Sequence, residues 1–211
     1  MTRRGRASAY DRPFVAALYD LDVRLTSRHL WGTSVRDQVE FAAAAIDAAA
    51  GEPVLELPAG TGLVLDRALA RVSHRGLVVA VDLSGVMLRR ARGRLGDRAL
   101  YLEADVAHLP FRDGTFAATH SGNGFHVFPD RSAAARELAR TLRPGGVAAI
   151  TTWTDEGRRA ARSYQRVLVW LGHINAPTAA ADYVRTFRAA GLAERSSNLG
   201  VALLRWYGAR D

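Results

Sequence analysis

The chain contains no cysteine. That excludes disulfides, thiolate-held metals and cysteine nucleophiles, and it fits a cytoplasmic protein. Lysine is absent too, so all 29 basic residues are arginine. A phosphate-binding loop of the Gly-Lys-Ser/Thr type is therefore missing. No apolar run approaches the length of a membrane span, so no membrane partner is expected. Met1-Thr2-Arg3-Arg4 is not followed by the apolar core of a secretory signal. No grouping of Asp, His and Glu has metal-ligand spacing, so no metal is expected. Internal repeats, low-complexity tracts and Ser/Pro-rich linkers are lacking as well.

What is present suits one soluble domain. A chain of 211 residues, 48% of them hydrophobic, can bury one sizeable core. The net charge of +8 comes from 29 basic and 21 acidic residues. The arginines are spread beside Asp and Glu, with a dense run at Arg3-Arg4-Gly5-Arg6. No basic run is interleaved with aromatics. A solvated arginine-rich surface therefore outweighs a nucleic-acid footprint. The arginine-only, alanine-rich composition points to a GC-rich bacterial source.

The chain is organised around Val54-Leu55-Glu56-Leu57-Pro58-Ala59-Gly60-Thr61-Gly62. Val54, Leu55 and Leu57 make the short apolar run of a strand buried on both faces. From Leu63 the apolar residues Leu65, Ala68, Leu69 and Val72 recur at helical spacing. A strand, a glycine turn and a helix in succession gather backbone N–H groups at one point, suited to an anionic or nucleotide-like ligand. Glu56, at the strand end, is not expected in the core. A dinucleotide fingerprint needs a third glycine where this chain has Leu65, so that reading fails.

Upstream, Pro13 opens an amphipathic helix to Leu30, and Thr33 or Ser34 caps a second helix from Val35 to Ala50. Downstream, Gly76 to Asp82 reads as a buried strand ending in an acid. Asp82 lies about 20 residues past the glycine turn, where a carboxylate can meet ribose hydroxyls. A helix to Leu95 follows. Ala99 to Val106 is a third strand, with Asp105 at its end, and Thr115 to Ser121 is a fourth. The fourth runs into Gly122-Asn123-Gly124-Phe125-His126 at the edge where open α/β sheets place ligands. Arg131–Leu142 reads as a helix and Val147–Trp153 as a strand. Two further helices and two closing strands, about 192–196 and 201–207, complete the pattern.

Glu56-x-x-x-Gly60-x-Gly62, the segment Val81-Asp82-Leu83-Ser84-Gly85-Val86-Met87-Leu88, the Ala104-Asp105-Val106 segment and the Arg143-Pro144-Gly145-Gly146 turn together resemble class I S-adenosylmethionine-dependent methyltransferases. The likeness is to their small-molecule, type 11-like branch, over about residues 52–207. Pro58 stands where the family has the first glycine of motif I. It fixes φ near −65° and offers no N–H.

The resemblance implies an α/β fold: a Rossmann-like, doubly wound, mainly parallel seven-stranded sheet with a C-terminal antiparallel hairpin and helices on both faces. Residues 1–50 would form a basic arm and a helical lid, and 51–211 the cofactor-binding domain. It implies S-adenosylmethionine as cofactor, with S-adenosylhomocysteine as product. The cofactor would be held by Glu56, Pro58, Gly60, Thr61, Gly62, Asp82, Leu83, Met87, Asp105, Val106 and Ser121.

Tyr19, His29, Trp31 and Asn123 would line the substrate pocket. His126 is the candidate general base, with plain packing as the competing role. The implied function is O-, N- or C-methylation of a small organic molecule, as in secondary metabolism, by a monomer or homodimer. The Asn/Asp-Pro-Pro-Tyr/Phe signature of base methylases is replaced by Ser121-Gly122-Asn123-Gly124, which argues against nucleic acid. A non-methylating enzyme such as a cyclase on this fold, and a non-catalytic cofactor-binding subunit, are the alternatives.

Overall fold

The computed structural model describes residues 10, 12–30, 34–156, 159–199 and 202–209; side chains at 13, 15–17, 24, 27–29, 195–199 and 202–209 are not described. The basic arm, the side chain of His29, Trp31 and Thr33 therefore lie outside the described residues.

Two helices, α1 (Pro13–Leu30) and α2 (Val35–Ala48), precede the first strand. Ser34 caps α2 in a reciprocal box with Asp37: the Ser34 hydroxyl accepts from the Asp37 N–H at 3.2 Å, and the Asp37 carboxylate accepts from the Ser34 N–H at 2.7 Å. Then follow β1 (Val54–Glu56), α3 (Leu63–Leu69), β2 (Val78–Asp82), α4 (Gly85–Leu95), β3 (Leu100–Glu103), β4 (Phe116–Gly122), α5 (Arg131–Thr141) and β5 (Leu142–Trp153). The chain closes with α6 (Arg159–Trp170), α7 (Ala180–Ala189), β6 (Leu192–Leu199) and β7 (Ala202–Ala209).

The strands lie in the order β3-β2-β1-β4-β5-β7-β6. The first five are parallel, and β7 and β6 extend the sheet antiparallel beyond β5. The parallel, helix-flanked sheet is the Rossmann-like arrangement expected from alternating strands and helices. β5 starts earlier than expected: the Arg143-Pro144-Gly145-Gly146 stretch lies inside it, and pairing with β4 shifts between Phe116 and Ala118.

Each sheet face has its own core. On one, Val54, Val78, Ala80 and Ala118 pack against Val39, Ala42 and Ile46 of α2, Leu65 and Ala68 of α3, and Leu88 and Leu95 of α4. On the other, Leu55, Val79, Phe116 and Ile150 pack with Phe125, Leu138 of α5, and Tyr183 and Phe187 of α7. Burial on both faces is why β1 and β2 read as continuous apolar runs. Register then fixes the functional edge. Glu56 pairs with His120 on one side and Ala80 on the other, so β1, β2 and β4 end at a common edge.

Candidate functional site

The site is built at that edge, from the turn after β1 and the acid ending β2. The chain leaves β1 through a cis Leu57–Pro58 bond. Gly60 and Gly62 then adopt φ of 54° and 73°, a left-handed region that glycine enters without steric cost. The two glycines serve different ends. A Cβ on Gly62 would press within 3.1 Å of Ala91 on α4, so its bareness permits close packing. A Cβ on Gly60 would meet nothing within 4 Å, so its backbone faces open space that a ligand can approach.

Asp82 stitches this edge together. Its Oδ2 accepts from the Gly60 N–H at 2.8 Å, and its Oδ1 accepts from the Ser84 N–H at 2.8 Å. The Ser84 hydroxyl in turn accepts from the Met87 N–H at 3.3 Å, capping α4. The N–H groups of Ala59, Gly60 and Gly62 are thus used within the protein, by Val81 O, Asp82 and Ala59 O. This corrects the simple picture of a turn with its amides free for an anion. The Asp82 carboxylate stands at this edge as an acceptor-only group, of the kind that suits a ligand's hydroxyl donors.

Glu56 is also corrected. It is buried rather than exposed at the strand end, 3% accessible, and its Oε2 lies 2.7 Å from Nδ1 of the equally buried His120. His120 Nε2 and Ser121 Oγ are buried with no hydrogen-bond partner among the described residues. Polar atoms left so at the ligand edge are the kind a bound group satisfies. Gly122 leaves room beside the imidazole, since a Cβ there would stand 2.9 Å from His120 Cε1.

α1 lies across the turn. The Thr61 hydroxyl donates to Asp20 Oδ1 at 2.5 Å. Arg94 of α4 donates to Thr61 O at 2.6 Å, to Thr61 Oγ1 at 3.0 Å and to Asp20 Oδ2 at 2.6 Å. Tyr10 and Tyr19 meet edge-to-face with centroids 5.8 Å apart, and the Ser84 hydroxyl donates to Tyr10 O at 3.2 Å. Burial, with the negative charges of Asp22 and Asp82, pushes the Tyr10 phenol up to about 12. Burial raises Tyr19 further, with Tyr10, Asp82, Asp20 and Asp22 adding to it. Both phenols are therefore neutral hydrogen-bonding groups near Asp82 at ordinary pH.

Asn123 sits at φ 53° just past β4. Its N–H donates to Thr151 O and Oγ1, both at 2.9 Å, and its amide donates to Gln38 Oε1 of α2 at 3.1 Å. Leu83 is 57% exposed beside Asp82, whereas Met87 is buried. Asp105 is exposed and accepts from the Ala107 N–H at 2.9 Å, with Val106 half-buried next to it.

His126 is buried, stacked on Trp153 with centroids 4.2 Å apart, and its Nδ1 accepts from the Trp153 N–H at 3.5 Å. Burial, reinforced by Arg131, lowers it to about 3. A base that weak has little driving force to take a proton near neutral pH. The geometry therefore favours packing over the expected catalytic role.

Sequence reasoning missed Asp20, Gln38, Arg94 and His120. Gln38 could have been found, as the polar residue on the apolar stripe Val39, Ala42, Ile46. Arg94 is one of several arginines on α4, and nothing in its spacing marks it. A hollow of about 570 Å³ lined by Leu77, Val79, Leu100, Tyr101, Phe111 and Phe116 lies toward the amino ends of β2 and β3, away from this site.

Comparison with known proteins bears on the family and the fold. Residues 54–146 match the family described as a methyltransferase domain. An uncharacterized chloroplastic methyltransferase of Arabidopsis thaliana is 32% identical over 69% of this chain and 43% of its own length. A ubiquinone/menaquinone biosynthesis C-methyltransferase of Idiomarina loihiensis is 36% identical over 46% of this chain and 40% of its own. The chain thus spans less than half the length of these curated relatives. Among solved structures, a chain from the complex between the Haloferax volcanii Trm112 methyltransferase activator and a methyltransferase superposes with a TM-score of 0.75. It shares 21% identity and covers 98% of this chain and 100% of that one, a likeness of fold.

Proposed function

The chain belongs to the class I S-adenosylmethionine-dependent methyltransferase family, and on that footing we propose that it transfers a methyl group from S-adenosylmethionine to a small organic acceptor. The observation that carries this is the Gly60–Asp82 hydrogen bond. It brings the glycine turn of β1 and the acid of β2, 22 residues apart in the chain, to one point. An open backbone face at Gly60, the carboxylate ending β2, and the buried Ser121 Oγ and His120 Nε2, which have no partner among the described residues, fit such a cofactor.

In this reading Asp82 takes the ribose hydroxyls. Leu83, Met87, Asp105 and Val106 enclose the adenine, and Gly60, Thr61 and Gly62 shape the cleft that Glu56 and Pro58 enter from β1. Bound S-adenosylmethionine supplies a methyl group already activated by its sulfonium, so the protein's task is to align donor and acceptor and keep water out. α1 forms the lid, with Tyr19 and Asn123 toward the acceptor, while α2, expected as part of the lid, packs instead in the core on the sheet; β6 and β7 complete the sheet as the family's closing hairpin. The ubiquinone/menaquinone relative supports a small-molecule acceptor.

The test is titration calorimetry with S-adenosylmethionine and S-adenosylhomocysteine. Micromolar binding of both is expected. Binding of neither overturns the cofactor assignment. Binding of both together with substrate turnover that yields no S-adenosylhomocysteine would turn the reading to a non-methylating reaction.

A further inference from the structure

Among the described side chains of α1, four large apolar ones face solvent: Phe14 is 73% exposed, Leu18 44%, Leu21 54% and Leu25 60%. At about 100° per residue they fall within an arc of roughly 60°, one stripe along the helix. The opposite side of the helix is already used, by Asp20 on Thr61 and Arg94 and by Tyr19 on Tyr10. The stripe is therefore an outer face.

α6 borders it, because the Tyr164 hydroxyl donates to Asp22 at 2.7 Å. Beyond Tyr164, Val167 is 52% exposed, Trp170 83% and Leu171 49%. The exposed charges on α6 are of one sign: Arg159, Arg162 and Arg166, with no acidic residue in the helix. Arg12, before α1, is exposed as well. The neighbouring acids have other engagements or positions. Asp20 and Asp22 pair with Arg94 and Tyr164, and Asp155 and Glu156 lie before α6, where Glu156 accepts from the Ala180 N–H at 3.0 Å.

We propose that the outer stripe of α1 and the Val167–Leu171 end of α6 together dock on an anionic lipid bilayer. An apolar helix face, a tryptophan at its border and flanking arginines are the composition of an element that lies in the headgroup region. The net charge of +8 points the same way. A two-fold dimer through this face would bring like-charged arginines of the two copies into proximity. The short apolar runs that excluded a membrane span bear on crossing a bilayer, not on lying against one. Docking of this kind does not depend on the methyl-transfer reading. If that reading holds, the inner face of α1 covers the glycine turn while its outer face meets lipid, so a long-tailed apolar acceptor reaches the site without crossing water.

The experiment is vesicle flotation of the full chain, with phosphatidylcholine alone and with phosphatidylcholine and phosphatidylglycerol, at low and physiological salt. Expected are flotation with the anionic vesicles, about tenfold less with the neutral ones, and weakening by salt. Leu21→Gln with Leu25→Gln lowers the bound fraction about tenfold at an unchanged circular-dichroism spectrum and thermal midpoint. Should that pair lower the midpoint, Trp170→Ala carries the same test at an exposed site. Failure to float with either vesicle overturns the proposal, as does flotation indifferent to these substitutions. So does a stable dimer that Leu21→Gln with Leu25→Gln dissociates and that ignores vesicles.

Discussion

The ring of Pro58 fills the space that a side chain at position 124 would need. A Cβ on Gly124 would overlap Pro58 Cδ and stand 2.7 Å from Phe128 Cζ. The proline that replaces the first glycine of motif I is thus matched by a glycine just beyond β4. Gly124→Ala is expected to destabilise by about 1–3 kcal/mol through overpacking. Pro58→Gly combined with it should recover part of the loss, read as a coupling term in a urea double-mutant cycle. Strictly additive effects would place the strain elsewhere.

Asp82→Asn removes the charge that accepts from Gly60 and Ser84. Loss of these charge-assisted bonds should cost about 1.5–3 kcal/mol of stability. It should also lower S-adenosylmethionine affinity by tenfold or more, an order-of-magnitude figure for one charged hydrogen-bonding group. Calorimetry and a thermal scan read the two effects separately. Unchanged affinity would remove the ribose role while leaving the structural one.

Arg94→Ala should free α1 from the glycine turn, since one guanidinium holds Asp20 and Thr61 together. Faster amide exchange confined to α1, with the sheet still protected, is the expected signature. The swap Asp20→Arg with Arg94→Asp should restore part of the protection. Uniform loss of protection would mean that the clasp belongs to the core and not to a cover.

His126 gives the fold a pH dependence of known sign. Its folded value, about 3, lies below the ordinary 6.5, so the folded state favours the neutral ring. The stabilisation is complete above pH 6.5 and is lost as pH falls toward 3, by about 1.4 kcal/mol per pH unit. His126→Phe should flatten the decline in denaturation midpoint between pH 6.5 and 4. A variant with the wild-type slope would assign the acid sensitivity to other groups.

His120→Ala would leave the Glu56 carboxylate buried without its partner. The expected cost is about 1–3 kcal/mol, the range for leaving a buried hydrogen-bonding group without its partner. Replacing both, by Glu56→Gln with His120→Asn, should cost less than the single change. Denaturant unfolding of the two variants beside the unaltered protein decides it.

The sheet was legible because β1 and β2 are buried on both faces and read as unbroken apolar runs. Glycines and acids at the strand ends then marked the ligand edge. What escaped were contacts set by packing between distant helices. Asp20 and Arg94 are 74 residues apart and meet only when α1 folds across α4. Glu56 looked solvent-facing because its partner, His120, is 64 residues away on a strand that becomes its neighbour only in the folded sheet. His126 read as a base from its position, but its burial against Trp153 makes it a poor one. The exposure of the α1 stripe was also hidden, since an amphipathic pattern does not say which face meets the body.

Arg94 ties α1 to the glycine turn through a single guanidinium. Its two NH groups touch both, so any ligand on the turn and any surface on the helix that both favour this clasp must raise each other's affinity by the same factor. One arginine thus stands between the inward and outward faces of α1.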